Sequence, residues 1–178
     1  QVKISTLCEA IIYWRNTSWM DVSASIIAND DATSDHLYTM FKTYHWNFPE
    51  AIRTHTRSAG NEKGLRFDEI RSQLRVYTAG SKTAATGTTN HIMHLSEFAK
   101  WSDAKTVMTS LNPSIPKTGL VFIESTPYGI GNMFYQLWVA AKDGKNEYVP
   151  LFFAWYDEPE YSLDNGKNWD TYTEQVKL

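Results

Sequence analysis

The sequence predicts an α/β protein: a mainly parallel sheet flanked by helices, with antiparallel additions. Three observations carry that expectation. The run Asn90-His-Ile-Met-His-Leu-Ser-Glu97 is short, apolar at its centre and free of Gly and Pro, and it stops at a carboxylate, which suits a buried strand. A second apolar run, Leu120-Val-Phe-Ile123, ends in Glu124-Ser125-Thr126-Pro127. Around these two, segments with the period of a strand alternate with segments with the period of a helix, the pattern of a parallel sheet with crossovers.

The elements follow in order. Leu7, Ala10, Ile11 and Trp14 fall at helical spacing, so residues 5–14 read as a helix that Ser5 or Thr6 can cap. Met20, Val22, Ala24 and Ile26 alternate with Asp21, Ser23 and Ser25, a strand over 19–28. Asn29-Asp30-Asp31 is a turn able to cap a helix over 32–44, which Asn47-Phe48-Pro49 ends. Residues 53–78 read as a hairpin or meander, with turns at Ala59-Gly60-Asn61 and Lys63-Gly64. The small-residue loop 83–88 leads into the central strand. Residues 101–111 form a helix stopped by Pro113 and Pro116. Then come a strand over 120–125, a helix over 132–142 stopped at Gly144, and a strand over 148–155. The polar stretch 156–178 reads as a loop with a helix near its end.

Bulk properties set limits. A chain of 178 residues is one domain with room for a substantial core. Seven Trp and ten Tyr argue against disorder. A formal net charge of −3 provides no global field that would draw the chain to DNA. A local basic segment contains Arg53, Arg57, Lys63, Arg66, Arg71 and Arg75; it reads as a solvated strand face in preference to a DNA contact. The single Cys8 rules out an internal disulfide and fits a reducing cytosol. No apolar run approaches the roughly 20 residues of a membrane span, and the start does not read as a signal peptide. The opening residue Gln1 suggests a fragment or a processed chain.

The stretches MHLSEFAKW, ESTPYGIGNMFYQLWVAAKDGK and YVPLFFAWYDEPEY resemble the ATPase domain of large terminase subunits, the motors that package DNA into tailed-phage heads. The resemblance covers nearly the whole chain. It implies a P-loop NTPase-like fold, here lacking the strand before the P-loop, and a single truncated ATPase domain over 1–178 without the nuclease domain that follows in the family. It also implies ATP and Mg2+ as cofactors and hydrolysis coupled to translocation of double-stranded DNA into the prohead. Implied partners are the portal protein, the small terminase subunit and further copies of the chain, with no membrane. The implied location is the host cytoplasm, transiently on the prohead.

The same resemblance assigns roles. Glu97 corresponds to the water-activating member of a Walker B pair. Ser96 stands where the magnesium-binding Asp is usual, and a hydroxyl is a weaker ligand. From the residues alone, Glu97 lies at the rim where open α/β sheets bind ligands; otherwise it caps the turn that follows. Gln1-Val2-Lys3-Ile4-Ser5-Thr6 is similar to the end of a Walker A loop, which makes Gln1, Lys3, Ser5 and Thr6 nucleotide-binding candidates and Ser5 a second magnesium ligand. Lys3 falls where Gly is usual and Ile4 where Lys is usual. Phosphate would sit at the amino end of the helix, although an ordinary capped helix has the same look. Ser125, Thr126 and Pro127 match the coupling motif, with hydroxyls able to sense the γ-phosphate or the attacking water; the alternative is a plain strand-to-helix turn. His91 and His94, three apart on a strand, point to opposite faces and cannot chelate one ion. Phe134, Tyr135 and Trp138 read as core rather than as a base-stacking platform. Thr86-Gly87 stands where many terminases carry an arginine finger, so Arg71 or Arg75 replaces it or the finger is absent. A cut loop, Thr86 and Ser96 together predict a poor ATPase. The competing reading is a non-catalytic, terminase-like remnant that binds a partner.

Overall fold

A computed structural model describes residues 3–58, 63–80, 87–154 and 156. Gln1, Val2, the turn at 59–61, Thr86 with most of its loop, Trp155 and the stretch 157–178 lie outside the described residues. The elements are α1 (Ile4–Ser18), β1 (Ser23–Ala28), α2 (Asp31–Asn47), β2 (Arg57–Ser58), β3 (Gly64–Phe67), β4 (Ser72–Thr78), β5 (Ile92–Ser96), α3 (Ala104–Leu111), β6 (Leu120–Glu124) and α4 (Met133–Lys142), with short 3-10 turns between them. They form one six-stranded sheet in the order β2-β3-β4-β1-β5-β6. β4, β1, β5 and β6 run parallel, and β2 and β3 add an antiparallel edge. Of the expected meander, β4 therefore belongs to the parallel part. β5 and β6 are bonded neighbours from Ile92↔Leu120 to Ser96↔Glu124, so their carboxyl ends share one rim.

Central position explains β1. It lies between β4 and β5, and Ala24 to Ala28 are all buried, as parallel strands covered on both faces are. The expected alternation therefore misjudges Ser25, whose buried hydroxyl donates to Asn90 Oδ1. The strand also starts later than residue 19. Asp21 has a φ of 61° and its carboxylate takes two bonds from Arg71, which breaks the extended chain before Ser23.

α1 buries Cys8, Glu9, Ile12, Tyr13 and Asn16, not the expected stripe: Leu7 and Trp14 are more than half exposed, at 55% and 56%. Two polar side chains rotate the helix. Asn16 Nδ2 donates to the carbonyls of Val22 and Gln73, and Glu9 pairs with His94. α2 presents Ser34, Leu37, Phe41 and His45 to the core, and Asp30 caps it by accepting from Thr33 N–H. Ile12, Leu37, Phe41, Phe67 and Leu74 belong to one core cluster; Ile27, Met93, Leu95, Phe98, Met108 and Leu111 belong to a second. Met133, Phe134 and Leu137 of α4 pack on the second cluster, while Tyr135 is exposed, contrary to expectation. α3 begins at Ala104 because Trp101 instead anchors the preceding turn, donating Nε1–H to the Ser96 carbonyl at 3.0 Å.

Residues 148–154 are not a strand. Pro150 has no N–H to give a ladder, and Asn146 draws the segment to α4 instead: its Nδ2 donates to the Leu137 carbonyl and its Oδ1 accepts from Tyr148 N–H. Lys3–Pro150 forms one compact body, and the described residues from Leu151 on belong to a second unit. Of that unit's described residues, Leu151, Phe152, Phe153 and Tyr156 are exposed and Ala154 is buried.

Candidate functional site

The site is built where β5 and β6 end. Glu97 follows β5 with φ 53° and ψ 39°, left-handed backbone on a side-chain-bearing residue. Such backbone costs on the order of 1 kcal/mol and gathers at functional sites. It turns the chain into Phe98–Lys100. The carboxylate Oε2 then accepts from Ser125 Oγ at 3.4 Å and Thr126 Oγ1 at 3.3 Å, and Lys100 Nζ lies 3.0 Å from the same atom. Ser125 Oγ also accepts from Ala99 N–H at 3.2 Å, tying the end of β6 to the turn after β5. Glu97 makes no side-chain cap to that turn. Pro127 continues from this pair toward Asn132, which caps α4 through Tyr135 N–H and ties down the carbonyls of Tyr128 and Gly129.

A second cluster joins the amino end of α1 to the same two strands. Ser96 Oγ donates to Glu124 Oε1 at 2.7 Å, and Ser5 Oγ donates to that oxygen at 3.0 Å. Behind them His94 Nε2 reaches Glu124 Oε1 at 3.2 Å while Nδ1 reaches Glu9 Oε1 at 2.8 Å. Glu9 and His94 are fully buried. Burial opposes charge on His94, but its bonds to Glu124 and Glu9 outweigh burial and push its pKa up to about 9, so both ring nitrogens donate. Burial also opposes charge on Glu124; His94 outweighs it and holds that carboxyl below its usual value. Glu9 goes the other way, raised by burial, with Oε2 buried and unpartnered. Burial, then the charges of Glu124 and Glu9, push the Cys8 thiol up to about 12, which leaves it without nucleophilic character at neutral pH.

The other expected residues divide. Lys3 is exposed at the amino end of α1 and its carbonyl accepts from Leu7 N–H. Thr6 is tied through its carbonyl to the Tyr44 hydroxyl. Arg71 lies at the amino end of β4, the opposite rim, bound through two atoms to Asp21, and Arg75 sits in mid-strand opposite Ser25. Neither reaches Glu97 within this chain. His91 and His94 have separate surroundings: His91 Nδ1 accepts from Ser23 N–H. The residues that sequence reasoning missed are Glu124, His94 and Glu9. Their signals were a carboxylate directly before Ser-Thr-Pro and the one acidic residue in the α1 stretch.

The parallel sheet, with a helix starting over the rim and polar groups at adjacent strand ends, defines a P-loop-type α/β fold. No family model and no curated protein sequence matches the chain. Solved structures do match in fold. The HK97 bacteriophage large terminase aligns with a TM-score of 0.65 at 13% identity, over 79% of this chain and 30% of that one. The large terminase ATPase domain of Thermus phage P74-26 gives 0.64 at 17%, over 78% and 61%. The large terminase of a thermophilic bacteriophage, in complex with ATP-gamma-S, gives 0.57 at 15%, over 88% and 37%. The chain therefore has the fold of a phage large-terminase ATPase domain, and it spans between about a third and three-fifths of the length of these structures.

Proposed function

We propose that this chain is the nucleotide-binding motor core of a phage DNA-packaging terminase, which binds ATP with Mg2+ at the rim described above and hydrolyses it to move double-stranded DNA into a prohead. The observation that carries the reading is Glu97, held in left-handed backbone with Oε2 on the hydroxyls of Ser125 and Thr126. The thermophilic-phage terminase complexed with ATP-gamma-S supports it. Among the described residues no helix is long and apolar enough to cross a membrane.

Phosphate oxygens would sit on the free N–H groups of the first turn of α1, with Lys3 ahead of that turn and Thr6 within it; Gln1, also a candidate, lies outside the described residues. Ser5 and Ser96 bring two hydroxyl oxygens to one point, each within 3.0 Å of Glu124 Oε1. Oxygen donors of this kind fit Mg2+. When bound, the ion neutralises charge on the phosphates. Glu97 Oε2 orients the attacking water and takes its proton. Ser125 and Thr126, on the same oxygen, respond to loss of the γ-phosphate. Pro127 and the segment tied down by Asn132 pass that response to α4. Turnover by the chain alone is low, because Ser96 stands in for a carboxylate and neither Arg71 nor Arg75 serves as an intramolecular finger. Partners in this reading are the portal protein, the small terminase subunit and further copies of the chain, assembled on the prohead in the host cytoplasm.

Calorimetric titration with ADP and ATP-γ-S in Mg2+, paired with a phosphate-release assay, tests the reading. The parent binds both nucleotides and releases phosphate slowly. Glu97→Gln binds with unchanged affinity and releases none, since the amide is nearly isosteric but accepts no proton. A parent that binds neither nucleotide, or a Glu97→Gln variant that turns over at the parent rate, overturns it.

A further inference from the structure

Glu124 has no assigned role in the reading just given, yet its carboxylate lies where the hydroxyls of Ser5 and Ser96 meet. We propose that Glu124, brought in by β6, is the carboxylate through which this site holds its divalent cation, with Ser5 and Ser96 as hydroxyl partners. The proposal rests on the nucleotide reading above.

Magnesium at a phosphate site is usually held by one or two carboxylates together with the phosphates themselves, and Ser96 supplies no charge. Register supplies the remedy. Ser96 is paired with Glu124 across β5 and β6, and their side chains meet at 2.7 Å. Ser5 reaches the same oxygen from α1. Three oxygen-bearing groups from three elements thus converge on the rim, one of them anionic. All four bonds of this cluster to Glu124 and from His94 go through Oε1 atoms: Glu124 Oε1 takes His94, Ser96 and Ser5, and Glu9 Oε1 takes His94. Among the described residues Glu124 Oε2 accepts none, and its side chain is 18% exposed, so that oxygen remains for a ligand.

The fully buried support behind it points the same way. A carboxylate serving only to neutralise His94 would leave nothing unsatisfied, whereas Glu9 Oε2 is buried without a partner, a cost of about 1–3 kcal/mol. Outer hydrogen bonds of this kind fix the orientation of a group that meets a metal. Here His94, fixed by Glu9, orients Glu124.

Mn2+ is the probe, its free form counted by electron paramagnetic resonance in the presence of ATP-γ-S; nucleotide affinity is measured separately in EDTA. Glu124→Gln preserves shape and is expected to weaken Mn2+ binding by about 10- to 100-fold while leaving ATP-γ-S affinity in EDTA unchanged. Ser96→Asp added to Glu124→Gln restores Mn2+ binding, since position 96 already reaches the same point. Unchanged Mn2+ affinity in Glu124→Gln overturns the proposal. So does a loss of metal-free nucleotide binding in that variant without recovery by Ser96→Asp, which would make Glu124 a strut between α1 and β6. A parent that binds no ATP-γ-S in EDTA or in Mn2+ overturns the nucleotide reading as well, whereas the other two outcomes leave it standing.

Discussion

Glu97 combines a working carboxylate with unfavourable backbone. Its φ of 53° is a conformation that Asn adopts far more readily than Glu. Its own contacts are modest: two hydroxyl bonds at 3.3 and 3.4 Å and a partly exposed ion pair with Lys100, of a kind worth little. Glu97→Asn is therefore expected to unfold at a urea concentration equal to or above the parent's, by up to about 1 kcal/mol, while losing turnover. A loss of more than about 1 kcal/mol would show that the contacts outweigh the strain. Glu97, Ser125 and Thr126 were legible in the sequence because each follows an apolar run whose end is itself a local signal. Glu124 stands in the same motif, but its bond to Ser96 depends on which residue of β5 faces it, and no local pattern states that.

Among the elements, α4 shows how a cap can serve a site. Asn132 accepts from Tyr135 N–H at 2.9 Å and donates to the carbonyls of Tyr128 and Gly129, so one side chain starts the helix and fixes the turn that leaves Thr126. Asn132→Ala is expected to cost about 1 kcal/mol, as loss of a cap does. It should also speed hydrogen exchange at the amide of Tyr135. An unchanged urea midpoint with unchanged exchange would mean the turn is held by other contacts. α1 teaches a different lesson. Its apolar residues repeat at helical spacing, so its existence is legible, yet its buried face is set by Glu9 and Asn16. Polar residues do not register in a hydrophobic pattern, and their burial is tolerable only because His94 and the carbonyls of Val22 and Gln73 are there to meet them. The apolar run around Pro150 misled in the opposite sense, since composition favours a strand where the described residues offer no ladder partner.

At the scale of the molecule, stability depends on how the two cores accommodate titratable groups. His45 is buried against the rings of Tyr13 and Phe67, with Nδ1 unpartnered. Burial, and then the charge of Arg53, hold its pKa below the ordinary 6.5. The unfolded chain therefore takes up a proton near pH 6.5 that the folded chain refuses. The stability contributed by neutral His45 is complete above that pH and declines as pH falls below it, by at most about 1.4 kcal/mol per pH unit for one proton. Thermal unfolding from pH 7 to 5 should show this decline in the parent and a shallower one in His45→Phe; parallel curves would refute it. His94 acts with the opposite sign, its stabilisation full below 6.5 and lost as pH rises through about 9, so the comparison between the two proteins isolates His45. By itself the sequence determined the alternation of elements, the mainly parallel sheet and the two strand ends that carry Glu97 and the Ser125–Thr126 pair, because apolar runs, breakers and caps act over a few residues. Only the tertiary structure decided that Ser96 faces Glu124, that α1 turns Glu9 inward onto His94, and that Arg71 lies at the far rim. Strand register and helix rotation are settled by which buried polar atoms find partners across the fold, and those partners lie far apart in the chain.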